Sequence, residues 1–179
     1  MVVGLEVEWY LTRLLDNRYE VGAIGGFGSP GEAPLVAPIN IGYQFMSENL
    51  CDEAEAHLQE LRRAIVGFGL PLRTTEHESG PGQMEFTFAP LDALKAADAM
   101  VLFRTAAKQI SARNGLHASF MCAPKLDGFD ASGWHLHQSL FDTASGSNAF
   151  MSDSEDDLVS PLGRGYAGGL LPHAPPPTI

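Results

Sequence analysis

The sequence predicts an α+β domain: a curved, mostly antiparallel sheet backed by helices. Three observations carry this expectation. Segments 3–15, 83–88 and 132–141 alternate polar and apolar residues and read as half-buried strands. Segments 51–68 and 91–113 repeat apolar residues every three or four positions and read as amphipathic helices. Strands and helices alternate, and the strands are half-buried rather than apolar throughout, which favours a sheet with one covered face.

Taken in order, the first strand runs through residues 3–15. Residues 21–40 are rich in Gly and Pro, hold no sustained period, and read as a loop or crossover. The glycines there do not form a phosphate loop, since no Lys-Ser/Thr follows. In helix 51–68, Ala54, Leu58, Leu61, Ile65 and Phe68 form one apolar stripe. Asp52, Glu53 and Glu55 fall in its first turns, Arg62 and Arg63 lie toward its end, and Gly69 is the stop.

Residues 70–77 read as a strand, followed by a Gly-Pro-Gly turn and the strand 83–88. Helix 91–113 has a buried stripe of Ala93, Ala96 or Ala97, Met100, Phe103, Ala107 and Ile110, and Asn114-Gly115 closes it. Residues 116–122 are a buried strand in which His117 is structural, and 123–130 a loop. Residues 142–157 are a polar, acidic loop. Ser160-Pro161 reads as an N-cap with proline at the first helical position, opening a short helix with Leu162, Tyr166 and Leu170 on one face.

The chain has 179 residues, 45% of them hydrophobic, enough for one domain with a core. A net charge of −11 and a pI of about 4.8 argue against non-specific nucleic-acid binding, which needs basic stripes. They leave room for a nucleotide held through metal ions. Cys51 and Cys122 stand alone, without a metal or disulfide spacing, and fit a reducing compartment. The N-terminus lacks a basic leader pattern and no run approaches a membrane span, so a soluble, cytoplasmic protein is expected, with no membrane partner.

Three strands carry the chemistry. In Gly4-Leu-Glu-Val-Glu-Trp-Tyr-Leu11, Glu6 and Glu8 share a face, opposite Leu5, Val7, Trp9 and Leu11. In Glu78-Ser-Gly-Pro-Gly-Gln-Met-Glu-Phe-Thr-Phe88, Gln83, Glu85 and Thr87 share a face, with Glu78 just before the turn. In Ala131-Ser-Gly-Trp-His-Leu-His-Gln-Ser-Leu140, Gly133, His135, His137 and Ser139 point one way, and Trp134, Leu136 and Leu140 the other. Any one strand alone could be a half-exposed strand with a solvated polar face. Together their polar faces carry Glu and His with no Lys or Arg among them. Carboxylates gathered without cations repel, and a divalent cation relieves the repulsion. Oxygen-rich ligands with imidazole suit Mg²⁺ or Mn²⁺ better than Zn²⁺.

These segments resemble the catalytic domain of glutamine synthetases and the related γ-glutamyl–amine ligases. The resemblance rests on the first two strands quoted above and on Leu94-Lys-Ala-Ala-Asp98, Ser119-Phe-Met121 with Pro124-Lys125, Ser132-Gly-Trp-His-Leu-His-Gln-Ser-Leu140 and Gly168-Gly-Leu-Leu-Pro-His173, in the family's order. It implies an ATP-dependent ligase that phosphorylates the γ-carboxylate of glutamate, after which ammonia or an amine displaces the phosphate, as in glutamine biosynthesis. Carried over by position, Glu8, Glu78 and Glu85 match ligands of one metal, and Glu6 and His135 ligands of a second, both Mg²⁺ or Mn²⁺. His137 and Ser139 match positions that contact ATP. Glu78 also falls near the ammonium site, as a catalytic residue, and Tyr43 matches a tyrosine near it.

Where the family has Asn-Gly before its His strand, this chain has Asp130-Ala131, so the family's glutamate-binding glycine does not carry over. The resemblance further implies that residues 1–179 are a partial catalytic domain. The family's N-terminal β-grasp domain and the C-terminal part of the catalytic domain, with its substrate-binding arginines, have no counterpart here, so this stretch alone is expected to be inactive. A metal- and nucleotide-binding module without catalysis is the alternative. Homo-oligomers, with sites between subunits, are expected of the full-length protein.

Overall fold

A computed structural model describes residues 1–16, 26–27, 33–44, 46–133 and 135–174. Its organising element is β1 (Val2–Leu14), thirteen residues long and paired along most of its length. Val2 stands opposite both Asp92 and Ser139, Tyr10 opposite Gln83 and Ser119, and Thr12 opposite Pro38 and His117. The neighbours are β2 (Val36–Pro38), β4 (Gln83–Phe88), β5 (Leu91–Asp92), β6 (Leu116–Ser119) and β7 (Leu136–Ser139). Strand β3 (Leu72–His77) adds to β4, and every ladder is antiparallel. The curled antiparallel sheet expected from the alternating segments is therefore present.

The apolar face of β1 lies against two helices. Helix α1 (Glu48–Asp52) is short; α2 (Glu55–Gly67) and α3 (Ala93–Arg113) cover the sheet. Trp9 is fully buried, stacked on Phe120 at 5.8 Å and edge-on to Phe86 and Phe103. Leu58, Leu61, Ile65, Met84, Phe103 and Ile110 complete this core. His57, also buried, joins the helices: its Nε2 lies 3.1 Å from Ser111 Oγ.

Several boundaries differ from the sequence expectations, each for a local reason. The segment 21–40 was expected to lack strands, yet Val36–Pro38 pairs with Thr12–Leu14; three residues are too few to show a period, and most of the rest lies outside the described residues. The single helix 51–68 is two, separated at Glu53-Ala54. Helix α1 has no buried residue, so nothing holds it on the axis of the α2 stripe. Asp52 thus ends α1 rather than opening α2, while Glu55 does sit in a first turn, bonded to Arg62 at 2.6 Å. Phe68 follows the end of α2 and is 53% exposed, off the stripe.

Leu91-Asp92 pairs with Val2-Val3, so the second long helix starts two residues later than expected. Strand 116–122 stops at Ser119 and the strand 132–141 is regular only over Leu136–Ser139. The loop 142–157 contains a hairpin, β8 (Phe141–Asp142) with β9 (Ser147–Asn148). Ser160 caps α4 (Pro161–Leu170) as expected: its Oγ accepts from Gly163 N at 3.1 Å. No described helix is long and apolar enough to cross a membrane.

Candidate metal and nucleotide site

Alternation places Glu6, Glu8, Tyr10 and Thr12 of β1 on the face away from the helices. The β1–β4 register sets Glu8 directly opposite Glu85, and the β3–β4 register sets Glu85 opposite Glu76. Three carboxylates thus form one row across three strands. Glu76 was not among the expected site residues, although its alternation with Glu78 was a readable signal.

The imidazoles come from β7, which holds His137, and from His135 just before it. His135 Nδ1 is 2.9 Å from Glu6 Oε2 and 3.8 Å from Glu8 Oε1; His137 Nε2 is 2.8 Å from Glu6 Oε1. The β7 ladder on β1 ends at Leu5 and the β6 ladder begins at Tyr10. Between them residues 6–9 have β4 as their ladder neighbour among the described residues, and there Gly133 N–H reaches Glu8 Oε2 at 2.9 Å. Ser139 lies further along β7, opposite Val2 and half-buried. Leu136 lines a mostly apolar cavity of about 410 Å³ with Val3, Leu5 and Met100, and Glu6, Glu8 and His135 line the same cavity; Trp134 lies outside the described residues.

The Gly-Pro-Gly turn is fixed by close approach. A Cβ on Gly80 would stand 2.7 Å from Gln83 Oε1 and 3.1 Å from Tyr10 Oη, and one on Gly82, whose φ is +68°, 2.5 Å from Leu11 O. Asn40 Oδ1 receives Gly82 N–H at 3.0 Å and contacts His77 Nε2 at 3.0 Å. Glu78, at the turn's entry, accepts from Ser79 N–H at 3.1 Å. Tyr43 sits in the left-handed region (φ 64°), donates its N–H to Ser79 O at 2.6 Å and its hydroxyl to Gly128 O at 3.0 Å. It therefore links the Glu78 turn to the loop before the His strand.

Electrostatics follow from this crowding. Burial, then the charges of Glu78, Glu6, Glu76 and Glu8, push the Glu85 carboxyl up to about 7. Burial, then Asp130 and Glu8, push the Tyr10 hydroxyl up to about 12, so it remains a donor, to Asp130 O. Among the described residues, the Lys and Arg ion pairs are Arg62–Glu55, Lys95–Asp92 and Arg164–Asp157, none on this face.

The donor set fits a divalent cation. Glu6, Glu85 and His135 each offer a ligand atom, all within 4.8 Å of one another. Two carboxylates and an imidazole, with Glu8 beside them and no lysine or arginine paired to them among the described residues, suit a hard cation such as Mg²⁺ or Mn²⁺. This cluster draws on both ligand sets that the resemblance distinguishes; Glu78 lies outside it.

The family model for the catalytic domain of glutamine synthetase matches residues 1–178. The chain belongs to the glutamine synthetase family. A γ-glutamylanilide synthase from an Acinetobacter species is 45% identical over 169 residues, 94% of this chain and 34% of that protein. A glutamine synthetase from Thermus thermophilus is 36% identical over 123 residues, 69% of this chain and 27% of that protein. Among solved structures, a GmaS–ADP complex superposes with a TM-score of 0.73 at 27% identity, over 96% of this chain and 36% of that one. The Plasmodium falciparum glutamine synthetase, at 16% identity and a TM-score of 0.76, shares the fold. The chain spans about a third of the length of the relatives it matches. Glutamine synthetases and γ-glutamylanilide synthase are ligases, so the family is enzymatic.

Proposed function

We propose that this chain is the metal- and nucleotide-binding part of an ATP-dependent ligase that joins the γ-carboxylate of glutamate to an amine through γ-glutamyl phosphate. The observation that carries this reading is the Glu6–Glu85–His135 cluster on the open face of a glutamine synthetase-type sheet. An amine acceptor is favoured over ammonia by the higher identity to a protein named for γ-glutamylanilide synthesis than to one named glutamine synthetase.

Both reacting partners are anionic. Divalent cations bound here would screen that repulsion and polarise the transferring phosphoryl group. Glu8, Glu78 and Glu85 would hold one cation, and Glu6 with His135 a second. His137 and Ser139, on β7 just after His135, would contact ATP. Glu78, at the turn bridged by Tyr43 to the 126–129 loop, would bind the amine and take the proton it loses as its nitrogen attacks the acyl phosphate and phosphate leaves. The protein is proposed to be cytoplasmic, and its complete form to be a homo-oligomer.

The reading is tested by ATP binding to this chain with and without Mn²⁺, and by phosphate release with glutamate and aniline or ammonia present. The expected result is Mn²⁺-dependent ATP binding that His137→Ala weakens about tenfold or more, with little turnover by residues 1–179 alone. Metal-independent ATP binding, or ATP-independent amide cleavage, would contradict it.

A further inference from the structure

Glu8 is the most deeply buried carboxylate of the face, 6% exposed, and its two oxygens have different surroundings. Oε2 accepts from Gln83 Nε2 at 2.9 Å and from Gly133 N–H at 2.9 Å. Oε1 faces the cluster, 3.8 Å from His135 Nδ1. Gln83 is itself fixed. It is 1% exposed, its Oε1 accepts from Gly80 N–H at 3.0 Å, and its Nε2 also reaches Ser132 Oγ at 3.3 Å. Turning the amide over would set its oxygen against a carboxylate and its NH₂ against an N–H, two repulsive contacts in a dry site.

We infer that Gln83 is a positioning residue that presents Glu8 to a divalent cation through Oε1 alone. The inference rests on the metal-binding reading above and deepens it. With Oε2 occupied by two donors, Glu8 is held as a one-oxygen ligand, and its orientation is set before the cation arrives. Gln83 spans β4 and the segment leading into β7. The ligands on β1, β4 and the His strand thereby keep one register, through an amide that touches no cation itself.

A double-mutant cycle followed by Mn²⁺ titration tests this, because the free ion's paramagnetic signal reports binding without turnover. The proteins are the 179-residue chain, Gln83→Met, Glu8→Gln and the double variant. Gln83→Met is expected to weaken Mn²⁺ binding roughly 10- to 100-fold in the wild-type background, and by less than about threefold once Glu8 is glutamine. An unchanged affinity in Gln83→Met overturns the inference. So does an equal loss in both backgrounds, which marks a general effect on folding. Should Gln83→Met fail to fold, half-buried Ser132→Ala replaces it, with a smaller loss, about threefold, expected only when Glu8 is intact; equal loss in both backgrounds again overturns it. Absence of saturable Mn²⁺ binding by the wild-type chain overturns the metal reading itself, and is told apart by that.

Discussion

Glu8 and Glu85 stand directly opposite each other across β1 and β4, and Glu76 faces Glu85 from the other side. Like charges in direct cross-strand register are destabilising. Their persistence in one row, with no lysine or arginine paired to them among the described residues, is the clearest mark that the face is built for a cation.

Glu85 gives this a pH signature. Its folded-state pKa, about 7, lies above its ordinary 4.5. A raised carboxyl favours the fold while protonated, so its contribution is fully present below about 4.5 and is lost as pH rises through about 7. Thermal melts of the protein in chelator are expected to show Glu85→Gln gaining stability over wild type as pH rises through this window. Parallel Tm profiles for the two proteins would contradict it.

His57 acts in the opposite sense. Burial holds its pKa below the ordinary 6.5, opposed by the charge of Glu60. A depressed histidine stabilises the fold when neutral; that stabilisation is complete above 6.5 and is lost as pH falls through the lowered value. His57→Gln should therefore flatten the acid side of the melt profile, and an unaltered acid limb would contradict a role for the buried, neutral imidazole.

Ligand removal separates the site from the surface. Glu8→Ala or Glu85→Ala is expected to weaken Mn²⁺ binding by at least about 100-fold, since even residues behind the ligands are worth 10- to 100-fold. Glu55→Ala, which loses the contacts to Arg62 and Gln59 on the surface of α2, should leave it within about twofold. Equal effects in a titration would remove the basis for the site.

The core offers a control on the fold. Phe103 is fully buried and packs against Trp9, Phe86, Phe88 and Phe120, so Phe103→Ala should cost about 3–5 kcal/mol in urea unfolding. Phe68→Ala, at a 53% exposed position, should cost less than about 0.5 kcal/mol.

Much of this was legible in the sequence because period-2 alternation is enforced wherever one face of a strand is buried. Leu5, Val7, Trp9 and Leu11 fix the orientation of Glu6 and Glu8 without reference to anything else. The Ser160 cap was legible for the same reason, being a local interaction. What was not legible depends on partners distant in sequence. Val36–Pro38 is a strand only because β1 offers it an edge. The helix 51–68 breaks because α1 finds no core to cover, which the charges around Glu53 do not reveal. Gln83 appeared only as one polar member of a face, since its partners Glu8 and Ser132 are 75 and 49 residues away. The alternation of Glu76 with Glu78 was readable, but its place opposite Glu85 depends on the β3–β4 register.

The central claim is that carboxylates from β1 and β4 and an imidazole beside β7 hold a divalent cation. The most direct measurement is a Mn²⁺ titration of the wild-type chain, read from the free-ion signal, beside Glu85→Ala and His135→Ala. Saturable binding that Glu85→Ala weakens by at least about 100-fold and His135→Ala by at least about tenfold is the expected result. Binding that is absent, or that is equally strong in all three proteins, would contradict it.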